Sequence, residues 1–255
     1  MKHKVICILG MHRSGTSMIT RILNICGVYI GEEKDLLLVS AGNDKGHWEL
    51  LESIGINDEI LKRFNGSWDN PPKFPEKWEN CPGISDLLER AKKIAEKMSQ
   101  KSDVWGFKDP RTCLTLPFWK KVLPHMIFVI TVRDPFEVAF SLNARDGMTV
   151  EKGLCLWQYY WARILENTDD EKSIYTNNER YFKDWKSEIK RLIHYIDAPE
   201  ISISGKEKEL QRFIDPDLHH QRNSSKDNFD SLKRNPIFFV LKQAERISSK
   251  LNQEI

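Results

Sequence analysis

No stretch of this 255-residue chain approaches the about 18 consecutive apolar residues that a membrane-spanning helix needs. The apolar run that follows Lys2 and Lys4 is too short for a signal peptide and has no small-residue cleavage site. The net charge is also small, +2 at pH 7, so bulk electrostatics do not indicate nucleic-acid binding. These absences predict a cytoplasmic protein with no membrane span and no nucleic-acid partner.

Cysteine is scarce and scattered along the chain. The five cysteines are odd in number and form no C-x-x-C pair, which predicts reduced thiols in or near the core: Cys7, Cys26, Cys81, Cys113 and Cys155. His219 and His220 are adjacent, but neighbouring residues rarely point at one ion and no other ligand cluster accompanies them. We therefore predict no metal site.

Internal repeats, low-complexity tracts and interdomain linkers are also missing. We expect one domain over residues 1–222, followed by a polar linker and helix over 223–255 that packs on the same domain. A docking or oligomerisation role for that helix stays open, and the sequence does not indicate an oligomeric state.

The most informative stretch is residues 9–18, Leu-Gly-Met-His-Arg-Ser-Gly-Thr-Ser-Met, which follows a short apolar run over residues 5–8. Apolar residues that enter glycines, with helical periodicity beyond, indicate a buried strand, a tight loop and a helix N-terminus. Gly10 and Gly15 let the backbone curl so that successive N–H groups point at an anion on the positive end of the helix. This pattern predicts a phosphate-binding loop.

The loop departs from the nucleotide-binding pattern G-x-x-x-x-G-K-[ST] at one position. Thr16 stands where that pattern has its Lys, which normally reaches the β- and γ-phosphates. The cation is inside the loop instead, as Arg13, whose guanidinium can bind phosphate or sulfate oxygens in a fork. Ordinary ATP or GTP hydrolysis is therefore disfavoured, although a P-loop kinase or NTPase stays an alternative.

The string Gly-Met-His-Arg-Ser-Gly-Thr-Ser resembles the 5′-phosphosulfate loop of sulfotransferases that use 3′-phosphoadenosine-5′-phosphosulfate (PAPS). The match is with the bacterial, carbohydrate and tyrosyl-protein members. The resemblance implies that PAPS is the cofactor and that it contacts this loop, with 3′-phosphoadenosine-5′-phosphate (PAP) as product. The implied contacts are Arg13, Ser14, Gly15, Thr16 and Ser17.

A second match follows the clearest strand, residues 126–132. Arg133 ends the strand, Asp134 suits a helix N-cap, Pro135 suits the first helical position, and Glu137 suits the third position of a capping box. Ser141 lies eight residues after Arg133. An Arg at a strand end and a Ser eight residues on resemble the 3′-phosphate motif of the same family, which implies that Arg133 and Ser141 bind that phosphate.

Two further stretches carry candidates for the chemistry. Gly46-His47-Trp48-Glu49 resembles a family Gly-x-x-Glu, and an acidic residue there can take the proton of an acceptor hydroxyl, so Glu49 is our candidate base. Glu52 and His47 are second choices, and an ordinary acidic residue in a first helical turn is the alternative for Glu49. Lys108-Asp109-Pro110 resembles a family string in which Lys contacts the transferring group, with Arg111 as support for a phosphate or the acceptor.

A Pro-rich stretch over residues 65–82 contains Trp68 and Trp78. Indole faces near a cleft bind sugar rings or aromatic acceptors, but the same composition also suits a packed surface loop. Both interpretations stay open at this point.

These patterns predict an α/β fold, a three-layer P-loop-type sheet that is mostly parallel, with helices on both faces. Its strands are expected at residues 5–9, 104–107, 126–132 and 174–175. The predicted function is metal-independent in-line transfer of a sulfuryl group from PAPS to a hydroxyl acceptor. A carbohydrate acceptor is favoured over a tyrosyl residue or a small molecule. Besides the kinase, a non-catalytic nucleotide-binding protein of the same fold is an alternative.

Overall fold

The computed structural model describes residues 3–37, 39, 46–168 and 172–214. Its main sheet has four parallel strands, β1 (Lys4–Leu9), β4 (Val104–Lys108), β5 (Ile127–Val132) and β6 (Ser173–Asn177). Their order across the sheet is β4-β1-β5-β6. Parallel strands covered by helices read as continuous apolar runs, and these strands are almost entirely buried. The predicted α/β class and all four predicted strands are confirmed.

Helices flank this sheet and connect its strands. In chain order they are α1 (Thr16–Cys26), α2 (Leu51–Arg63), α3 (Ser85–Lys101), α4 (Thr112–Val122), α5 (Pro135–Asp146), α6 (Val150–Asn167), α7 (Asn178–Ile196) and α8 (Glu207–Phe213). Trp157 and Trp161 on α6 are fully buried, as the apolar stripe of that helix predicts. None of the helices in the described ranges is long and apolar enough to cross a membrane.

A small second sheet was not predicted. Its two antiparallel strands are β2 (Leu36–Leu37) and β3 (Glu49–Leu50), and Leu37 pairs with Glu49. Helix α2 begins only after this pair, so Glu49 is not in a first helical turn. Because β3 buries Glu49 beside the end of β4, the small sheet brings this carboxylate to the carboxyl edge of the main sheet.

Two further expectations concern the cysteines and the C-terminal residues. The five cysteines are free, but Cys155 is exposed, because it lies on the solvent side of α6; a core or near-core place for it was wrong. His219, His220 and the helix expected within 223–255 lie outside the described residues, so the predicted domain boundary at 222 stays a prediction.

Candidate active site

The loop between β1 and α1 has the conformation that its glycines predict. Gly10 and Gly15 have φ angles of +153° and +86°, in the region that side chains rarely adopt. A Cβ atom on Gly10 would lie 2.5 Å from the Thr131 hydroxyl oxygen, and one on Gly15 would lie 2.1 Å from Oδ1 of Asn178. Within the described ranges no side chain caps α1, which leaves its positive end suited to an anion.

Hydrogen bonds with β5 and α4 hold the loop between β1 and α1 in place. Thr131 on β5 donates its hydroxyl proton to the carbonyl oxygen of Ser14, at 3.1 Å, and Gly10 N donates to Sγ of Cys113, at 3.3 Å. Ser14 and Thr16 are buried. These contacts therefore fix the position of the loop backbone against the core.

The two predicted phosphate motifs meet at Arg13. Its Nε donates to Oγ of Ser141 at 2.7 Å, and Nη1 of Arg133 donates to the carbonyl oxygen of Arg13 at 2.8 Å. Asp134 caps α5 as predicted, by accepting from Phe136 N and Glu137 N. The Glu137 carboxylate instead pairs with Nε of Arg133 at 2.9 Å. The guanidinium groups of Arg13 and Arg133 and the hydroxyl of Ser141 therefore lie together at the loop between β1 and α1.

Glu49 and Lys108 form a buried ion pair on the other side of the loop. Nζ of Lys108 lies 2.5 Å from Oε1 of Glu49 and donates to Oγ of Ser17 at 3.2 Å. Lys108 is 1% exposed and Glu49 5%. The structure thus brings the candidate base, the candidate cation and the first turn of α1 together.

Burial shifts the proton affinities of these groups. It raises the pKa of the Glu49 carboxyl above its ordinary value, against the opposing effect of the Lys108 ammonium. Burial lowers the pKa of Lys108, because the ammonium group loses the water around its charge. Burial, followed by the charges of Lys108 and Arg145, lowers the pKa of His47 to about 4. Glu49 is therefore a stronger base than an exposed Glu, and His47 is a neutral imidazole at pH 7.

Arg111 bridges three carboxylates at the same edge of the sheet. Its Nη1 donates to Oδ1 of Asp109 at 2.9 Å, its Nε lies 2.7 Å from Oδ1 of Asp58, and Nη1 lies 3.9 Å from Oε2 of Glu49. Burial alone would lower the pKa of Arg111, but these carboxylates outweigh it and raise that pKa. Arg111 is thus a fixed, permanently charged neighbour of Glu49.

Trp68 lies beside the loop that connects β1 and α1. Its ring lies 4.5 Å from that of His12, centroid to centroid, and the Arg145 guanidinium lies 5.5 Å from its centroid. Tyr160 holds this turn in place by donating its hydroxyl to the Trp68 carbonyl oxygen at 2.9 Å. Trp78, by contrast, is buried against Phe74 and belongs to the core.

Sequence reasoning missed His12 and Arg145 as parts of this site. His12 is nine-tenths buried, and its Nε2 has no hydrogen-bond partner among the described residues. Burial, then Arg111 and Arg145, lower the pKa of His12 well below its ordinary value, so it is a neutral imidazole. Its place inside the loop motif, directly before Arg13, was the signal that could have indicated it.

A separate cavity of about 340 Å³ lies between α1 and α8. It is lined by Arg21, Ile25, Trp48, Glu209, Arg212 and Phe213, and the Arg21 guanidinium lies 4.6 Å from the centroid of Trp48. Over the ranges that the structure describes, no group of three or more His, Cys, Asp or Glu residues is arranged to hold a metal ion.

The chain resembles known proteins in its fold. The chain is similar in fold to sulfotransferase STF9 from Mycobacterium avium, with 15% identity, a TM-score of 0.53, and 87% of this chain and 70% of that one covered. It is also similar to the sulfotransferase domain from the curacin biosynthetic pathway, with 14% identity, a TM-score of 0.51 and 98% of both chains covered. The comparison with curated proteins found no match. A model of the sulfotransferase family matches residues 6–202, well over half of the sequence, and the chain therefore belongs to the sulfotransferase family.

Proposed function

We propose that this sulfotransferase takes its sulfuryl group from PAPS and passes it to a hydroxyl of a carbohydrate, with Glu49 as base. The observation that carries the proposal is the buried Glu49 and Lys108 pair, which Ser17 joins to the first turn of α1 at 3.2 Å. A base and a cation at the anion-binding end of a helix are what this transfer needs. The same contact speaks against a non-catalytic protein that kept only the fold.

The residues present fit a donor that is phosphorylated at two positions. The positive φ angles of Gly10 and Gly15, where a Cβ would collide with Thr131 and Asn178, keep the loop in a curled conformation that suits an anion. Arg133 and Ser141 form a second group of anion-binding side chains beside it, and Arg13 in the loop contacts both of them. We assign the loop, with Thr16 and Ser17, to the 5′-phosphosulfate, and Arg133 with Ser141 to the 3′-phosphate.

Glu49, Lys108 and Arg13 then each have a role in the transfer. Bound PAPS supplies an electrophilic sulfur with PAP as leaving group. Glu49 accepts the proton of the acceptor hydroxyl as the new oxygen–sulfur bond forms and the bond from sulfur to the phosphate oxygen breaks. Lys108 and Arg13 stabilise the negative charge that collects on the departing oxygen. Because the site is buried, these charges interact more strongly than they would in water.

The acceptor side of the proposal is based on Trp68. Its half-buried indole lies at the loop edge with His12 and Arg145 around it, and an indole face binds the apolar face of a sugar ring. Trp68→Ala should raise the KM for the acceptor and leave the affinity for PAP unchanged, whereas Trp185→Ala on α7 should change neither.

The test is a transfer assay in EDTA with PAPS labelled in its sulfuryl group. Neutral and acidic oligosaccharides, a tyrosyl peptide and a simple phenol serve as acceptors, and products are identified by mass. The proposal predicts PAP release coupled to a sulfated oligosaccharide. Labelled peptide or phenol alone would overturn the carbohydrate acceptor, and no transfer to any acceptor would overturn the activity.

A further inference from the structure

Asn57 occupies a position on α2 where helical periodicity predicts an apolar residue. Asn57 is fully buried, and its neighbours on the buried face of α2 include Ile56 and Ile60. An amide at such a place costs free energy unless all of its hydrogen bonds are made. The contacts of Asn57 therefore indicate why it is there.

All four hydrogen-bonding positions of this amide are used. Its Nδ2 donates to Oδ2 of Asp109 at 2.8 Å and to Oγ1 of Thr112 at 3.1 Å. Its Oδ1 accepts from Oγ1 of Thr115 at 2.7 Å and from Nε1 of Trp119 at 2.8 Å. Asn57 thus ties α2 to both the end of β4 and the buried face of α4.

The chain of contacts continues from Asp109 to the candidate base. The other carboxylate oxygen of Asp109, Oδ1, accepts from the backbone N of Arg111 at 3.0 Å and from its Nη1 at 2.9 Å. That Nη1 lies 3.9 Å from Oε2 of Glu49. Asn57 therefore orients Asp109, which orients the guanidinium beside Glu49.

We propose that Asn57 is a positioning residue for sulfuryl transfer, which holds Glu49 and Arg111 in register through Asp109. The covalent path supports this assignment, because Glu49 lies in the strand directly before α2 and Lys108 directly precedes Asp109. The two halves of the buried ion pair thus belong to the two segments that Asn57 joins. The inference rests on the proposed function, since Glu49 must act as base for its position to affect turnover.

The experiment compares Asn57→Leu, which has a similar volume and no amide, with Ser99→Ala as control. Ser99 accepts a hydrogen bond from Nε1 of buried Trp105 at 3.1 Å, so the control also deprives a buried tryptophan of its partner, away from the Glu49 side. Thermal unfolding of each variant is measured first. Should Asn57→Leu not fold, the smaller Asn57→Ser replaces it.

Three readings decide the matter in each folded variant. We expect kcat for PAP release from PAPS with the acceptor panel to fall by roughly 10- to 100-fold, the loss typical of a small misplacement of reacting groups. The dissociation constant for PAP, from calorimetry, should stay within threefold of the wild-type value.

The pH profile gives the third reading. Glu49 is faced by Lys108, Arg111, Asp109 and His47. Burial raises the pKa of Glu49, and the Lys108 and Arg111 cations oppose that rise. Loss of the Arg111 position should therefore move the acidic limb of the kcat profile to higher pH, while Ser99→Ala leaves it in place.

The outcomes separate this inference from the proposed function. Wild-type protein that neither binds PAP nor releases it from PAPS would overturn the proposed function before any variant is compared. Active wild type with an Asn57 variant of unchanged kcat and unchanged acidic limb would overturn only the positioning role. An equal loss of kcat and PAP affinity, or failure of both variants to fold, would also overturn it and show a purely structural amide.

Discussion

Replacing Glu49 by Gln tests the base directly, because the change removes the charge and keeps the shape. The amide retains an Oε1 atom that can accept the 2.5 Å bond from Nζ of Lys108, and Lys108 keeps its bond to Ser17. What is lost is the ability to take a proton. General base catalysis contributes about 10²- to 10⁴-fold, so kcat should fall by that factor.

The cost to stability follows from the same contacts. Removing one partner of a buried ion pair typically costs about 3–5 kcal/mol. Here the cost should lie at or below the low end of that range, because the remaining acceptors are kept and burial already lowers the pKa of Lys108. At about 2–4 °C per kcal/mol for a domain of this size, Tm should fall by no more than roughly 12 °C.

The assay measures kcat for labelled transfer and, separately, PAP affinity by calorimetry. Glu52→Gln is the matched control, since Glu52 is an exposed carboxylate three residues along on α2 and should keep wild-type turnover. A Glu49→Gln enzyme that folds, binds PAP and turns over within threefold of wild type would refute Glu49 as base. Loss of turnover in Glu52→Gln alone would move the role to that residue.

Further predictions concern the nucleotide site and pH. Arg133→Ala should weaken PAP binding, measured by calorimetry, by about 1.5–3 kcal/mol and change the binding of adenosine 5′-monophosphate little. Arg163→Ala, at a half-buried arginine of similar exposure on α6, is the control, and equal losses for both nucleotides would contradict the 3′-phosphate assignment. Gly15→Ala should abolish PAP binding, and retained binding would argue against the loop as the site of the 5′-phosphosulfate. Gly147→Ala is the control, because Gly147 also has a positive φ, +67°, but nothing lies within 4 Å of the added Cβ. This variant should bind PAP and show only a backbone strain of about 1–2 kcal/mol in unfolding experiments. Because burial raises the pKa of Glu49 and the base acts deprotonated, kcat should fall as the pH drops through that raised pKa, above the 4.5 of an ordinary Glu; an acidic limb below 4.5 would contradict this.

The main strands could be predicted because burial on both faces requires continuous apolar residues. The apolar runs that form β1, β4 and β5 are of this kind, and each of these strands begins and ends within one residue of its predicted bounds. The strands β2 and β3 have two residues each and form no periodic pattern, so their pairing depends on tertiary contacts. The burial of Glu49 could not be predicted for the same reason.

The meeting of the two phosphate motifs depends on strand order, which the sequence does not encode in any local pattern. Arg13 follows β1 and Ser141 follows β5, 128 positions later. They touch because β1 and β5 are neighbours in the sheet, so the loops at their carboxyl ends lie side by side. Each motif could be identified separately, but the contact between them could not.

Asn57 shows the opposite case, a polar residue that sequence reasoning passed over. It lies on the buried face of α2 with Ser53, Ile56 and Ile60, where an amide breaks the apolar stripe. That break was a usable signal of a buried hydrogen-bond network. Its partners, Asp109 and residues of α4, are more than 50 positions away and became evident only in the fold.

A calorimetric titration of the protein with PAP in EDTA, beside ATP with Mg²⁺, distinguishes a PAPS-dependent enzyme from one that uses a nucleoside triphosphate. We expect metal-independent binding of PAP with one site per chain and no binding of ATP, because Thr16 replaces the Lys of nucleoside triphosphatases. Binding of ATP with Mg²⁺ and none of PAP would contradict PAPS as the donor and indicate a phosphotransferase.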